Sequence, residues 1–250
     1  MNFKEDGCQI FRRCFTAAEI ALAREITGQV CATARPRTPF WDNHVVALSV
    51  LSESRNPGVS GDVLTEEPFL ITELPAISEV YANLILSEEI WAIAAQVLEL
   101  DEIVYHYSNI TRKPARIGPN MAWHRDFPNG YICPRESRFF FRALIPLESM
   151  NEENGCTVVL PGTHRITDEE AVDKNRKRDF DLTSALPLCL KAGDVATIHS
   201  KVVHGGRENR SNFDRNLLII QFGIATDEFL CCEREPYTGL GRAEILSRRF

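Results

Sequence analysis

The sequence predicts a mainly β protein with flanking helices, built as a β-sandwich or jelly roll. Two observations carry this prediction. Helix signals are concentrated before residue 100, and from Asp101 onwards short strand-like segments alternate with turn signals. Helices followed by many short strands are typical of a sandwich or barrel with helices packed on one side. We expect one domain over residues 1–250, with a helical part at 1–100, a β core at 101–230 and a C-terminal tail at 231–250.

Three segments of the first hundred residues carry helix signals. In Phe15–Cys31, Thr16 is followed by Glu19 in a capping-box pattern, and the apolar residues after it fall on one stripe. Pro75–Leu84 and Ser87–Leu100 are further amphipathic segments, and two glutamates follow the serine that opens the second. The N-terminal part is therefore predicted to be helical.

A long segment rich in proline, glycine, serine and charge follows the first of these helices. Residues 35–68 contain a single strand-like burst, at Val45–Leu48. Long stretches without regular structure are uncommon in globular domains and are usually functional loops or linkers. We therefore interpret residues 35–68 as an excursion that serves as a lid over an active site.

The second half of the chain is predicted to be β. Five segments have strand length and composition: Ile103–Ile110, Phe139–Leu147, Cys156–Leu160, Asp194–Ile198 and Leu217–Ile224. Turn signals separate them, such as Pro-Asn-Gly at 128–130, Asn-Gly at 154–155 and Pro-Gly at 161–162. This pattern indicates antiparallel strands with short connections.

Composition and charge exclude several classes of partner. The formal net charge of -7 argues against nucleic acid or an anionic membrane as a partner. No apolar run approaches the ~18 residues that a membrane helix needs. The N-terminus shows no apolar secretion core, and the eight cysteines show no Cys-x-x-Cys spacing. We expect a soluble cytoplasmic protein with reduced thiols.

The sequence His124-Arg125-Asp126, together with the distant His204, indicates a metal site. Residues two apart on an extended segment point to the same side, so His124 and Asp126 can hold one ion while Arg125 points away. Two imidazoles and one carboxylate form the facial triad that binds non-heme Fe(II) and leaves coordination positions open. Zinc uses the same ligand types and is the competing metal.

Arg215 is the candidate anchor for a dicarboxylic co-substrate. It opens an apolar strand on which Leu217 and Ile219 share its face. An arginine at the mouth of a barrel can make a bidentate contact with a carboxylate, which lysine makes less well. The alternative is a surface arginine paired with Asp214 or Glu208. Two neighbouring arginines are rival anchors, at positions 207 and 210.

These motifs resemble the phytanoyl-CoA dioxygenase family. The resemblance is carried by Trp123–Asp126, by Asn154–His164 with its Pro-Gly-Thr-His turn, and by His204–Ser211, and it covers most of the chain. It implies a double-stranded β-helix, which is a cupin-like jelly roll, and dependence on Fe(II), 2-oxoglutarate and O2. It also implies that His124, Asp126 and His204 are the iron ligands and that Arg215 binds 2-oxoglutarate.

Within that family, Lys113-Pro114 and the metal pair are most similar to the ectoine hydroxylases. This similarity implies that Thr111 and Lys113 contact the co-substrate. Two features depart from the family: Gly206 stands where a serine is frequent, and the segment 127–137 lacks the ectoine hydroxylase signature. Asp126 is the carboxylate form of the motif, which disfavours halogenation because no coordination position is left for chloride.

We therefore predict a dioxygenase that hydroxylates an unactivated carbon of a small metabolite, an amino acid or a derivative, in secondary metabolism or solute biosynthesis. The predicted substrate contacts are Asn129, Tyr131, Arg138 and Arg142. Desaturation, epoxidation or ring rearrangement by the same core is an alternative. A zinc-dependent hydrolase and a non-catalytic jelly-roll binding module are further alternatives. The sequence does not indicate the oligomeric state.

Overall fold

Antiparallel strands form the frame of the molecule, and helices cover one face of its larger sheet. The computed structural model describes residues 1–33, 38–51, 60–136, 140–177, 180–226, 228–233 and 235–248. Its strands are β1 (Cys8–Phe11), β2 (Val45–Ala47), β3 (Pro68–Thr72), β4 (Ile103–Lys113), β5 (Met121–His124), β6 (Ile132–Pro134), β7 (Phe140–Pro146), β8 (Thr157–Leu160), β9 (Leu186–Pro187), β10 (Val195–His199), β11 (Val203–Gly206), β12 (Arg215–Ile224) and β13 (Phe229–Cys232).

The helices lie mostly in the N-terminal part. They are α1 (Phe3–Asp6), α2 (Ala17–Ala32), α3 (Pro39–His44), α4 (Gly61–Glu66), α5 (Leu74–Ile77), α6 (Glu79–Ile85), α7 (Glu88–Leu98), α8 (Asp168–Lys177) and α9 (Arg242–Arg248). Within the described ranges, no helix is both long enough and apolar enough to cross a membrane.

The strands form two main sheets. The larger sheet has the order β1-β10-β7-β12-β4-β3-β2, and the smaller one has the order β5-β11-β8-β9. All pairs in both sheets are antiparallel. β13 and β6 form a separate two-stranded ribbon. Most neighbouring strands are distant in sequence, as the crossing connections of a jelly roll require.

The side chains of β12 alternate between two layers, the main core under the helices and the space between the two sheets. Leu218 and Ile220 pack in the main core with residues of α2, α6 and α7. Leu217 and Ile219 point the opposite way and pack near Val159 of the smaller sheet. Successive strand residues face opposite sides of a sheet, so one face carries the helices and the other faces the space between the two sheets.

The predicted helices are present with shifted ends. Thr16 caps α2 with the expected capping box, and Ser87 caps α7. The predicted helix Pro75–Leu84 is two short helices, α5 and α6. The reason is Ser78, whose extended backbone (φ -157°, ψ 140°) interrupts the helical run and whose side chain caps α6.

The N-terminal part departs from the prediction because it also contains strands. β1, β2 and β3 all join the larger sheet, and the predicted burst at Val45–Leu48 is β2 followed by the first residue of a 3-10 helix, Leu48–Val50. The predicted excursion 35–68 therefore contains helices and a strand, although residues 34–37 and 52–59 lie outside the described residues. Short apolar strands such as β3 show no clear hydrophobic periodicity, so the sequence pattern did not distinguish them from loops.

The C-terminal tail is also packed. The Thr238 hydroxyl donates to the His106 carbonyl (2.6 Å), and the Tyr105 amide donates to the Leu240 carbonyl (3.0 Å). Ile245 of α9 is 2% exposed and belongs to the main core. The predicted C-terminal tail therefore packs, over residues 235–248, against β4 and the main core.

Candidate metal centre

The pairing of β11 with β5 brings the two distant histidines together. His204 and His124 lie opposite each other in the ladder, and their ring centroids are 4.2 Å apart. Asp126 lies two residues beyond His124, and its Oδ1 is 3.8 Å from Nε2 of each histidine. The ligand atoms of the three residues lie within 4.8 Å of one another. The structure thus assembles the predicted ligand set.

Each histidine is oriented by a backbone carbonyl. Nδ1 of His124 lies 2.8 Å from the Ala122 carbonyl oxygen, and Nδ1 of His204 lies 3.0 Å from the Val202 carbonyl oxygen. A carbonyl only accepts, so Nδ1 carries the proton and Nε2 keeps its lone pair. Burial lowers the pKa of His204 to about 4, which holds the imidazole neutral. Both rings are therefore prepared to bind a cation through Nε2.

Asp126 supplies the negative charge of the site. Its side chain is 2% exposed, and Oδ2 is buried without a hydrogen-bond partner in the described part of the chain. Burial alone would raise its pKa, but the neighbouring charge of Arg142 opposes burial, and the pKa of Asp126 is lowered. A buried carboxylate oxygen without a partner is unfavourable unless a cation is bound. The donor set therefore fits a metal ion.

β11 approaches β5 closely at Gly205. A Cβ atom on this residue would lie 2.9 Å from the Met121 carbonyl oxygen, closer than real Cβ contacts. Glycine is the residue that permits such a backbone approach. Gly205, the residue after His204, therefore allows the close approach of the two strands that carry the histidines.

A cavity of about 100 Å³ extends from the two histidines into the space between the sheets. Arg215 lies in its wall and is 2% exposed. Its Nη1 donates to the Thr111 carbonyl (3.3 Å), and its Nε is buried with no hydrogen-bond partner among the described residues. Leu217 and Ile219 line the same cavity, so the predicted shared face of β12 is present.

Arg215 makes no ion pair with a carboxylate among the described residues. Asp214 pairs with Arg112 at 2.5 Å, and Glu208 lies near Arg210 at 3.8 Å, so both expected surface partners are engaged elsewhere. Burial lowers the pKa of Arg215 to about 10, which leaves the group charged at neutral pH. A buried guanidinium without an anion favours a bound carboxylate.

The sequence of residues 3–217 matches the family model described as phytanoyl-CoA dioxygenase (PhyH). The chain belongs to the phytanoyl-CoA dioxygenase family. The predicted family is thereby confirmed.

Two relatives illustrate the range of this family. The peroxisomal phytanoyl-CoA dioxygenase of Rattus norvegicus is 25% identical over 162 residues, which are 59% of this chain and 48% of that protein. The chain thus spans about half the length of that relative. The ectoine dioxygenase of Nocardia farcinica is 22% identical over 246 residues, which are 88% of this chain and 75% of that protein.

Solved structures show the same fold. EctD from S. alaskensis, crystallised with 2-oxoglutarate and 5-hydroxyectoine, superposes with a TM-score of 0.67 at 23% identity. The superposition covers 95% of this chain and 77% of that chain. The predicted fold class, a mainly β jelly roll with flanking helices, is confirmed.

The two other co-substrate residues predicted for this family member lie on β4. Thr111 lines the Arg215 cavity, and its hydroxyl donates to Oδ1 of Asn109 (3.2 Å). Lys113 pairs with Arg215 across the two strands, but it is not among the residues that line the cavity. Its Nζ donates to the carbonyls of Gly155 (3.1 Å) and Arg207. Burial and the charge of Arg215 lower the pKa of Lys113 to about 6. Its contact with the co-substrate stays a prediction.

Arg142, a predicted substrate contact, lies beside the candidate metal ligand Asp126. Its Nη1 donates to Asp126 Oδ1, and its guanidinium lies 5.6 Å from the Tyr107 ring centroid. It also lines the Arg215 cavity. In this structure Arg142 positions the Asp126 carboxylate.

The other predicted substrate residues are engaged elsewhere or not described. The Asn129 side chain closes its own turn, since Nδ2 donates to the Ile132 carbonyl (3.2 Å) and Oδ1 accepts from the Tyr131 amide (2.9 Å). The Tyr131 hydroxyl donates to Oε1 of Glu235 (3.2 Å). Arg138 lies outside the described residues. Their substrate roles stay predictions.

A second cavity, of about 220 Å³, lies on the other side of His124. Its wall combines Arg125 and Asp168 with six mostly apolar residues, namely Phe127, Pro128, Ala171, Val172, Phe180 and Val203. The sequence predictions did not include this cavity, because they did not include α8. A signal was present: Thr167 with Glu170 three residues later is a capping pattern, and the Thr167 hydroxyl accepts from the Glu170 amide (3.1 Å).

Proposed function

We propose that this family member is an Fe(II)- and 2-oxoglutarate-dependent dioxygenase. In this proposal it hydroxylates an unactivated carbon of a small metabolite, an amino acid or a compound derived from one. One observation carries the proposal: the buried Arg215, which has no ion-pair partner among the described residues, lies in the same cavity wall as two histidines of the candidate metal-binding set. A cation site and an isolated guanidinium in one cavity suit a ligand that chelates a metal and ends in a carboxylate.

His124, Asp126 and His204 would hold the iron. Bound Fe(II), together with 2-oxoglutarate, supplies the activation of O2 that hydroxylation of a carbon requires. The Asp126 carboxylate would take the metal coordination position that a halide needs. This favours oxygen insertion over halogenation. A zinc site of the same composition would leave the isolated charge of Arg215 without a role.

The surrounding residues orient these groups and limit water. Arg142 holds the Asp126 carboxylate, and the carbonyls behind the two imidazoles hold their tautomer. Arg215 would bind the far carboxylate of 2-oxoglutarate, while Leu217 and Ile219 supply an apolar wall that excludes water. The low polarity strengthens the contact between the guanidinium and the carboxylate.

The segment 35–68 supports the lid hypothesis through its packing. Leu48 and Leu64 form a buried cluster with Phe69, and Met121 packs against that cluster. Met121 also lines the Arg215 cavity. Movement of the segment 35–68 would therefore displace Met121 in the cavity wall. We propose that this segment closes over the site as a lid and belongs to one oxygenase domain.

We further propose that the enzyme works in the cytoplasm on a small dissolved molecule. The formal net charge of -7 disfavours nucleic acid and anionic membranes as partners.

The test is anaerobic absorption spectroscopy of the protein with Fe(II) and 2-oxoglutarate. We expect a metal-to-co-substrate band that amino acids or small metabolites perturb on binding, followed on O2 addition by substrate-dependent succinate release. A product heavier by one oxygen supports hydroxylation, and a product lacking two hydrogens indicates desaturation. Activity that persists without O2 and 2-oxoglutarate and disappears when zinc is removed would establish the hydrolase instead. Absence of succinate release with every compound would favour a binding module.

A further inference from the structure

The side chain of Arg125 lines the second cavity. The Arg125 side chain is 9% exposed. Its Nε donates to the Lys201 carbonyl (2.9 Å), and its Nη1 donates to Oδ1 of Asp168 (3.0 Å). Its Nη2 is buried and has no hydrogen-bond partner in the ranges that the structure describes. Buried N–H groups are normally paired, so this donor indicates an acceptor supplied by a ligand.

The charge around Arg125 favours an anionic acceptor. Asp168 accepts from Arg125 and also from Lys201, whose Nζ lies 2.8 Å from Oδ1. One carboxylate thus serves two cations, which leaves a local excess of one positive charge. Arg125 can therefore receive an anion with more favourable electrostatics than a neutral or cationic group.

The remaining wall of the second cavity is mostly apolar. Ala171 and Val172 come from α8, while Phe127 and Phe180 supply aromatic rings. Such a wall favours a hydrocarbon body because it removes apolar surface from water. The cavity shares His124 with the Arg215 cavity, so a body bound there lies beside one of the three candidate metal ligands.

We infer that the substrate has an apolar body and a carboxylate, with the carboxylate bound by Arg125 and the body held against the wall formed by α8 and Phe127. This inference rests on the proposed function, in which the Arg215 cavity is reserved for 2-oxoglutarate. It narrows the substrate class to apolar carboxylic acids, including amino acids with apolar side chains. It also makes Arg125, the middle residue of the metal motif, a specificity determinant.

The test uses three probes with the same body: 3-phenylpropionate, 3-phenylpropionamide and 3-phenylpropylamine. Binding is measured by calorimetry without O2, on protein loaded with Fe(II) and saturated with 2-oxoglutarate so that Arg215 is occupied. We expect the acid to bind about ten- to a hundredfold more tightly than the amide, the range for a hydrogen bond to a charged group. The amine should bind most weakly.

Three variants locate the binding. Arg125→Gln should make the acid and the amide bind equally. Ala171→Phe should abolish binding of both, because Ala171 is 4% exposed and a larger ring there fills the cavity. Arg165→Gln is the matched control. Arg165 is exposed and is not among the residues that line the second cavity, and its Nη1 lies 3.1 Å from Oε2 of Glu5. It should retain the wild-type preference.

Equal binding of acid and amide by the wild-type protein overturns the inference without any variant. So does an Arg125→Gln protein that still prefers the acid, an Ala171→Phe protein that binds unchanged, or a wild-type protein that binds no probe. The Fe(II)/2-oxoglutarate band is recorded without probe in each protein. An intact wild-type band with failed probe results rejects only the substrate class, whereas a missing wild-type band rejects the proposed function.

Discussion

The two carboxylate oxygens of Asp126 have different surroundings. Oδ1 accepts from Arg142 and faces both imidazoles, while Oδ2 is buried without a partner in the described part of the structure. The residue therefore links a fixed arginine to the position where a cation would be bound. Its replacement would remove one predicted metal ligand and also remove the carboxylate that pairs with the buried charge of Arg142.

Asp126→Ala should abolish turnover and lower Fe(II) affinity by more than about a hundredfold, since removal of an outer-shell partner alone lowers metal affinity about 10–100-fold. Anaerobic Fe(II) titration measures the affinity. Asp181→Ala is a control at an exposed carboxylate that caps a surface turn. An Asp126→Ala protein that binds iron normally would refute the assigned ligand set.

Arg215→Ala should raise the 2-oxoglutarate requirement strongly. The loss of a buried charge-assisted pair corresponds to about 2–5 kcal/mol, or about 30-fold or more in the KM for 2-oxoglutarate. Steady-state succinate release measures this change. Arg210→Ala is the control, because Arg210 is more than half exposed and lies near Glu208. An unchanged requirement in Arg215→Ala would instead indicate Arg207 or Arg210 as the anchor.

His106 should make the protein sensitive to acid. Burial lowers its pKa from 6.5 to about 4. Between these values the unfolded chain binds a proton that the folded protein does not, so the free energy of unfolding falls as the pH falls. The loss is on the order of 3 kcal/mol at its full extent. Urea unfolding at pH 7 and pH 4 should show a smaller loss for His106→Gln than for the wild type, and equal losses would contradict the assignment.

At the level of elements, the β5–β11 pair determines the distance between the histidines. The register places His204 opposite His124, and it shifts between His204 and Gly206. Gly205 lies at this irregularity, where a Cβ atom would meet the Met121 carbonyl oxygen. The strand pairing, rather than either histidine alone, therefore sets the distance between these two candidate ligands.

Gly205→Ala should push the two strands apart and reduce Fe(II) affinity about 10–100-fold, as expected for a disturbed supporting shell. The same Fe(II) titration measures it, together with circular dichroism to show that the fold is retained. Gly130→Ala is the matched control, because a Cβ atom there meets nothing within 4 Å. Normal iron binding by Gly205→Ala would show that the strand spacing tolerates the added methyl group.

At the level of the whole molecule, the C-terminal segment completes the layer of helices over the larger sheet. Ile245 packs in a core shared by α2, α6 and α7. The hydrogen bond between Thr238 and the His106 carbonyl ties the same segment to β4. Residues that follow the last long strand therefore contribute to the stability of the whole sheet.

Ile245→Ala should lower the free energy of unfolding by about 2–5 kcal/mol, because a buried side chain leaves a cavity when truncated. Chemical denaturation measures the change. Leu22→Ala is the control, since Leu22 on α2 is 52% exposed. A loss as small as that of the control would show that α9 is not part of the core.

Prediction from sequence succeeded where local patterns carry the information. The cap at Thr16, the strand run of β12 and the His-x-Asp motif are all local, and each is present in the structure. β1 and β3 were missed because short apolar strands depend on partners distant in the chain. The role of the Arg142 side chain beside Asp126 was missed for the same reason, because β7 carries it to the ligand from another part of the sequence.

The sequence by itself determined the fold class, the family and the residue types of the metal motif, because periodicity, caps and short motifs are written in neighbouring positions. Only the tertiary structure decided how these residues meet. It placed Nε2 of both histidines 3.8 Å from Asp126, left Arg215 buried without a carboxylate among the described residues, and put Arg125 in the wall of a second cavity. Strand register and burial produce these relations, and both depend on contacts between residues far apart in the chain.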